Sequence, residues 1–104
     1  MTKYGARRTE IDGHSFASQR EANRYGELRL LEQAGEISGL ELQPKFPLIV
    51  NGQKVATYIA DFRYVDAAGA VVVEDVKSGP TKTPVYRMKA KLMLACYNIR
   101  IRET

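Results

Sequence analysis

With 104 residues, 44% of them hydrophobic and 27% charged, the chain is long enough for one domain with one core and too short for two, and its composition excludes wholesale disorder. Its 16 basic and 12 acidic residues leave a net charge of +4, and a lone cysteine, Cys96, excludes an internal disulfide and any zinc site built from several thiolates. The longest apolar run, Ala67 to Val73, is far short of a bilayer span and no apolar segment follows the basic beginning as a secretory leader requires, so a soluble cytoplasmic chain is expected, with Cys96 a buried thiol.

Residues 1–8 are polar and basic, with Lys3, Arg7 and Arg8 around Gly5, and read as a loosely ordered arm. Asp12-Gly13 is a tight-turn signal between Ile11 and Phe16, which predicts a short hairpin. His14 beside it has no second histidine with which to share a metal and no serine or cysteine placed for a triad, so it reads as turn structure. A helix is predicted from Ser18 to Ala34, closed by Gly35. Two readings of Glu21 stand side by side. With Ser18 it completes a capping box, yet Ala17, Glu21, Tyr25 and Leu28 also fall on one helical stripe, which turns the acid toward the core and any site there.

The run from Gly39 to Val50 predicts a first strand interrupted or bent at Pro44 and Pro47. Asn51-Gly52 is a strong hairpin turn leading into a second strand, Val55 to Val65, so the two are antiparallel neighbours. Period-2 alternation puts Ala56, Tyr58, Ala60, Phe62 and Tyr64 on one face and Thr57, Ile59, Asp61, Arg63 and Val65 on the other. In the third strand Val71, Val73, Asp75 and Lys77 alternate with Val72, Glu74 and Val76. A three-residue turn ending in a left-handed Gly69 pairs Asp66 with Ala70, and counting back places Asp61 opposite Asp75; an even loop would bring Asp61 to Glu74 instead. Like charges directly opposite are destabilising unless a cation lies between them.

After Ser78-Gly79-Pro80, Thr83-Pro84 marks the N-terminus of a second helix, Pro84 to Tyr97, with Val85, Met88, Leu92 and Ala95 or Cys96 toward the core and Arg87, Lys89 and Lys91 nearer solvent. Asn98 ends it, and Ile99 to Arg102 reads as a last strand, parallel to the third by the right-handed crossover rule. The expected fold is α/β (α+β), a mixed four-stranded sheet with two helices in the order αβββαβ. From Lys77 through Arg102 there are seven basic residues and no acid, a footprint for phosphate or simply a solvated helix face.

Two carboxylates on one sheet face, with a lysine two residues beyond the second, can hold Mg²⁺ or Mn²⁺, because such an ion needs only one or two carboxylates plus waters and phosphate oxygens. Lys77 would then stabilise charge developing on a phosphodiester, and Glu21 could complete the shell. Taken alone, the pattern also suits plain ion pairs, Asp75 with Lys77 or Asp61 with Arg63, on a wet strand face.

Asp61 followed by Asp75-Val76-Lys77 in this element order resembles the PD-(D/E)xK, restriction-endonuclease-like nuclease superfamily. More closely, Lys3-Tyr4-Gly5, Asp12-Gly13, Phe16, Ser18, Glu21-Ala22, Gly35, Gln43-Pro44, the Tyr58 to Phe62 segment and Glu74-Asp75-Val76-Lys77 resemble the phage and prophage family known as domain of unknown function 1064. The resemblance implies the restriction-endonuclease-like fold, a divalent-metal site at Asp61, Asp75 and Lys77, and Glu21 as the helix acid of Holliday-junction resolvases and transposon end-cleaving relatives. Gln43 matches a polar residue some relatives place near the site, Glu74 is a possible accessory acid, and Ala60 stands where the motif's proline is expected. The implied activity is a metal-dependent DNA endonuclease acting on branched DNA, recognised by shape and phosphate through Lys3, Arg7, Arg8, Lys82, Arg87, Lys89 and Lys91. Symmetric cutting of a junction implies a homodimer. The alternatives are a non-catalytic DNA- or protein-binding module of the same fold and a nuclease subunit that needs a recombination or replication partner.

Overall fold

The computed structural model describes residues 9–104, so the basic arm with Lys3, Arg7 and Arg8 lies outside the described residues. Strands β1 (Thr9–Ile11) and β2 (His14–Phe16) form the predicted hairpin, with Asp12 and Gly13 both left-handed (φ 54° and 79°), as a two-residue turn matching strand twist requires. Helix α1 spans Gln19–Gln33. Its first turn is capped by Ser18, whose Oγ accepts from the Glu21 N–H at 3.1 Å, and the chain leaves through Gly35 at φ 79°. Ala22, Tyr25 and Leu28 are buried on α1 and Glu21 is buried with them; Ala17 precedes the helix and is exposed.

Five strands follow α1: β3 (Ser38–Leu42), β4 (Lys45–Val50), β5 (Gln53–Ile59), β6 (Phe62–Val65) and β7 (Val71–Asp75). A single 3-10 turn, Gly79–Thr81, leads to α2 (Pro84–Tyr97), and β8 (Arg102–Glu103) ends the order. The main sheet runs β3-β6-β7-β8, antiparallel except for the parallel β7–β8 pair. This is a mixed four-stranded sheet with two helices in an α+β chain, and the last strand runs in the expected direction.

Two predicted strands are each broken in two. The first divides into β3 and β4 and the second into β5 and β6, so β4 and β5 form a separate hairpin around Asn51-Gly52. The register does not change at the break: Gln43 N–H donates to the Asp61 carbonyl at 3.0 Å and Ala60 N–H to the Pro44 carbonyl at 3.1 Å. What changes is the backbone direction. Gln43 is left-handed (φ 51°), opposite the irregular Ala60-Asp61 pair, and the ribbon turns there from one layer to the other.

That turn corrects the predicted faces. Tyr58 and Ala60 join Phe46, Leu48, Val73, Tyr86 and Met93 in a core beneath α2, whereas Phe62 and Tyr64 join Phe16, Ala22, Tyr25, Leu28 and Ile37 beneath α1. A straight strand would have kept all four even-numbered residues together. Helix α2 is also rotated from its predicted setting. Thr83 caps it and left-handed Asn98 (φ 56°) ends it, but Tyr86 and Met93 are its buried residues, while Val85 and Met88 are 56% and 50% exposed. The Tyr86 hydroxyl reaches Glu103 at 2.8 Å on β8, an anchor that helical periodicity does not contain. Cys96 is partly exposed rather than buried, its Sγ donating to the Ile49 carbonyl at 3.4 Å. Ile99 and Ile101 pack against the α2 core, and the strand expected there is confined to Arg102–Glu103. Among the described residues no helix is long and apolar enough to cross a membrane.

Candidate active site

The β6–β7 turn sets the register of the acids. Asp66 N–H donates to the Ala70 carbonyl at 2.9 Å, the Asp66 carboxylate accepts from the Ala68 and Ala70 N–H groups at 2.9 Å each, and Gly69 is left-handed (φ 84°). Val65 then pairs with Val71 and Phe62 with Glu74. This is the register the three-residue turn predicts; the ladder ends at Phe62, and just beyond it the Asp61 N–H bonds to the Glu74 carbonyl at 3.1 Å while the Asp61 side chain lies beside Asp75. The Asp61 carboxylate accepts from the Val76 N–H at 2.7 Å, which locks its side chain against the end of β7.

Asp75 is buried beneath α2, where Tyr58 donates its hydroxyl proton to Oδ2 and Lys77 Nζ stands 3.9 Å from the same oxygen. Burial, with the Asp61 carboxylate beside it, pushes the Asp75 carboxyl up to about 7 against the opposing pull of Tyr58 and Lys77. Burial and the Asp75 carboxylate in turn hold the Tyr58 proton far above the ordinary phenol range. Lys77 Nζ also lies 4.5 Å from the centre of the Tyr86 ring, so the ammonium is fixed between an aromatic face and an acid. Of the plain ion pairs the sequence also allows, Asp75 with Lys77 forms, but with Asp75 buried rather than on a wet face, and Arg63 pairs with Glu41 at 3.4 Å instead of Asp61.

Glu74 is turned the other way, as alternation requires, and is not part of this site. It is 0% exposed and takes both prongs of Arg24 from α1, Nε to Oε1 at 2.8 Å and Nη2 to Oε2 at 2.7 Å, along with the Tyr64 hydroxyl. Burial would raise its carboxyl, but the hydrogen bonds from Arg24 and Tyr64 outweigh that and hold it below the usual carboxylate range. The accessory role expected for Glu74 therefore gives way to a structural one, fastening α1 to the sheet.

Space opens on both sides of the acid pair. On the α1 side a cavity of about 370 Å³ is lined by Glu21, Gln43 and Asp61 with His14, Ser15 and Leu42. Glu21 and Gln43 thus share a wall with Asp61, the one by the helical stripe and the other because its left-handed backbone sits directly across the ladder. His14 extends from this cavity into a neighbouring one with Asp12, Tyr25 and Arg29, so it is more than turn structure. On the α2 side a cavity of about 270 Å³ is lined by Tyr58, Ile59, Asp75, Lys77, Val85 and Lys89, among others.

Asp61 and Asp75 are hard oxygen donors brought together with room on either side for waters and phosphate oxygens, a set that fits Mg²⁺ or Mn²⁺. Among the described residues no three or more His, Cys, Asp or Glu side chains are gathered closely enough to form a metal-holding group, so Glu21 stands on the cavity wall rather than in a three-carboxylate cluster. Of the basic residues expected to meet DNA, Lys82 is paired with Glu103 at 2.8 Å and Lys89 Nζ donates to the Thr57 carbonyl at 3.0 Å, whereas Arg87 and Lys91 are exposed on α2.

Tyr58 and Tyr86 carry contacts to Asp75 and Lys77 that the sequence pattern does not reveal. The fold and these acids define an α+β chain with a carboxylate pair, one member buried, and an adjacent lysine on a mixed sheet. Over residues 1–103 it matches the family model described as protein of unknown function (DUF1064), and the chain belongs to that family. No curated protein and no solved structure matches it.

Proposed function

We propose that this chain is a divalent-metal-dependent DNA endonuclease of the PD-(D/E)xK, restriction-endonuclease-like kind, from a phage or prophage, acting on branched DNA such as a Holliday junction. The observation that carries the proposal is the buried Asp75 carboxyl with the half-buried Asp61 carboxylate beside it and Lys77 Nζ 3.9 Å away. Two carboxylates facing each other cost stability unless a cation is shared between them, so their placement calls for one. A divalent ion held by Asp61 and Asp75 would supply Lewis acidity toward the phosphodiester and a more acidic water.

The chain's own residues do the rest. Tyr58 holds the Asp75 carboxylate and the Val76 N–H holds that of Asp61, so each ligand is oriented by a hydrogen bond behind it. Lys77, steadied over Tyr86, donates to the phosphoryl oxygens as negative charge gathers there. Glu21 and Gln43 line the approach on the α1 side and can hold the attacking water by accepting and donating hydrogen bonds. The water oxygen bonds to phosphorus, the phosphorus–oxygen bond to the leaving nucleotide breaks, one water proton passes to solvent through these groups, and the leaving oxygen is protonated. Cutting both strands of a junction needs two such sites and hence a homodimer.

A second reading, a DNA-holding module without chemistry or a subunit that needs a partner, draws on the lack of a three-ligand group among the described residues. Strand cleavage of a four-way junction, a duplex and a single strand in Mg²⁺ separates the two. The endonuclease reading expects cleavage that falls by about 10²-fold or more in Asp75→Ala; equal cleavage by both proteins removes the site from the reaction.

A further inference from the structure

We propose that the cavity between β5, β7 and α2 receives unpaired nucleobases, so that the substrate class is DNA with a splayed or single-stranded segment beside the cut; this rests on the endonuclease reading. The first observation is exposed apolar surface where packing gives no reason for it. Ile59 is 51% exposed and Val85 is 56% exposed, and both line the cavity that also holds Asp75 and Lys77. Met88, one turn after Val85 on α2, adds a third exposed apolar side chain at 50%. Scattered apolar residues on a surface need no explanation, but three grouped at the mouth of a polar site mark a contact.

The second observation is the charge around them. Lys77 and Lys89 share the cavity, and Lys45 is the cross-strand partner of Ile59 on β4. A protein partner's apolar segment would find three ammonium groups around its seat and would have to match them with acids. A single strand matches both features at once, with phosphates toward the lysines and base faces against Ile59, Val85 and Met88. Aliphatic side chains of this size are those that wedge between base steps, and bases stack on apolar surface with little regard to sequence. A continuous duplex keeps its bases stacked, with base edges but no base faces open to a protein, so it offers the apolar rim no face to cover it. The geometry thus ties the selection of branched DNA to the α2 side of the acid pair, where a strand freed from its partner can leave the cutting site.

Fluorescence anisotropy in Ca²⁺, followed by cleavage in Mg²⁺, on a forked DNA with unpaired arms and on a blunt duplex of the same sequence tests this. The wild type is expected to favour the fork, and Ile59→Ser with Val85→Ser to lower the fork-to-duplex ratio by about tenfold, with a thermal unfolding curve like the parent's because both side chains are exposed. Leu30→Ser, an equally apolar and exposed position on α1, should leave the ratio as it is. A double variant that keeps the wild-type ratio, a wild type with no fork preference, or a change in oligomeric state on sedimentation that follows these two substitutions overturns the base-docking proposal alone. Absence of binding and cleavage on every DNA overturns the endonuclease reading and this inference with it.

Discussion

Removing Arg24 should unfold this protein long before it alters any chemistry. The Arg24 guanidinium takes Glu74 in a two-pronged pair at 2.8 and 2.7 Å, and Glu74 is 0% exposed. In Arg24→Ala the carboxylate keeps the Tyr64 hydroxyl and the more distant charge of Arg102, which bonds to Tyr64, but loses both hydrogen bonds to a cation. Breaking one side of such a buried pair costs about 3–5 kcal/mol. At about 4 °C per kcal/mol or more for a domain of this size, Tm should fall by more than about 10 °C. The pH dependence has a defined sign. Glu74 is held below the usual carboxylate range, so the stabilisation it contributes is present above the unfolded-state pKa and is lost as pH falls through the folded-state one. Arg24→Ala should therefore differ most from wild type near neutral pH and least in acid. Adding Glu74→Gln to Arg24→Ala should recover much of the loss, since no buried charge remains. The assay is urea or thermal unfolding of the three proteins between acid and neutral pH. A single variant within about 3 °C of wild type at pH 7, or a double variant no better than the single, would refute the assignment of Glu74 to structure.

Asp75 should behave in the opposite sense. Its carboxyl is raised to about 7, so metal-free protein should lose stability as pH climbs through that value, with Asp75→Asn relieving the loss and saturating Mg²⁺ doing the same for the wild type; unfolding curves in chelator that are flat from pH 5 to 8 would contradict this. Tyr58→Phe removes the hydroxyl that positions Asp75, and cleavage should drop about tenfold or more while Asp75 itself remains. Gly69→Ala meets no neighbour within 4 Å, so its cost should be purely conformational, about 1 kcal/mol at φ 84°, read as a small Tm decrease with cleavage retained.

Turn chemistry made much of the fold legible. Asp12-Gly13, Asn51-Gly52 and Gly69 each occupy left-handed positions in the hairpins they announce, and Ser18, Thr83 and Asn98 stand at the helix ends. Because the Gly69 turn has three residues, the register that pairs Phe62 with Glu74 and brings Asp61 beside Asp75 follows by counting. The break at Gln43 and Asp61 was not legible, since neither residue type demands it; it arises where one ribbon must serve two cores. Helix α2 was misjudged by its apolar periodicity because Tyr86 is fixed by Glu103 on β8, an acid beyond the helix in the chain. Arg24 and Glu74 are 50 residues apart, and an arginine on a helix otherwise reads as solvated. At the site, Asp61, Asp75 and Lys77 emerged from strand alternation, whereas Tyr58 reached Asp75 only because the ribbon turns.

The central claim is that Asp61 and Asp75, and not Glu74, form the oxygen set for a divalent ion. Calorimetric titration of Mn²⁺ into wild type, Asp61→Asn, Asp75→Asn and Glu74→Gln tests it most directly, with each protein first confirmed folded by circular dichroism. The account predicts saturable binding in the wild type and in Glu74→Gln, lost in both Asp variants. No saturable binding in the wild type, or binding that survives Asp75→Asn and disappears with Glu74→Gln, would contradict it.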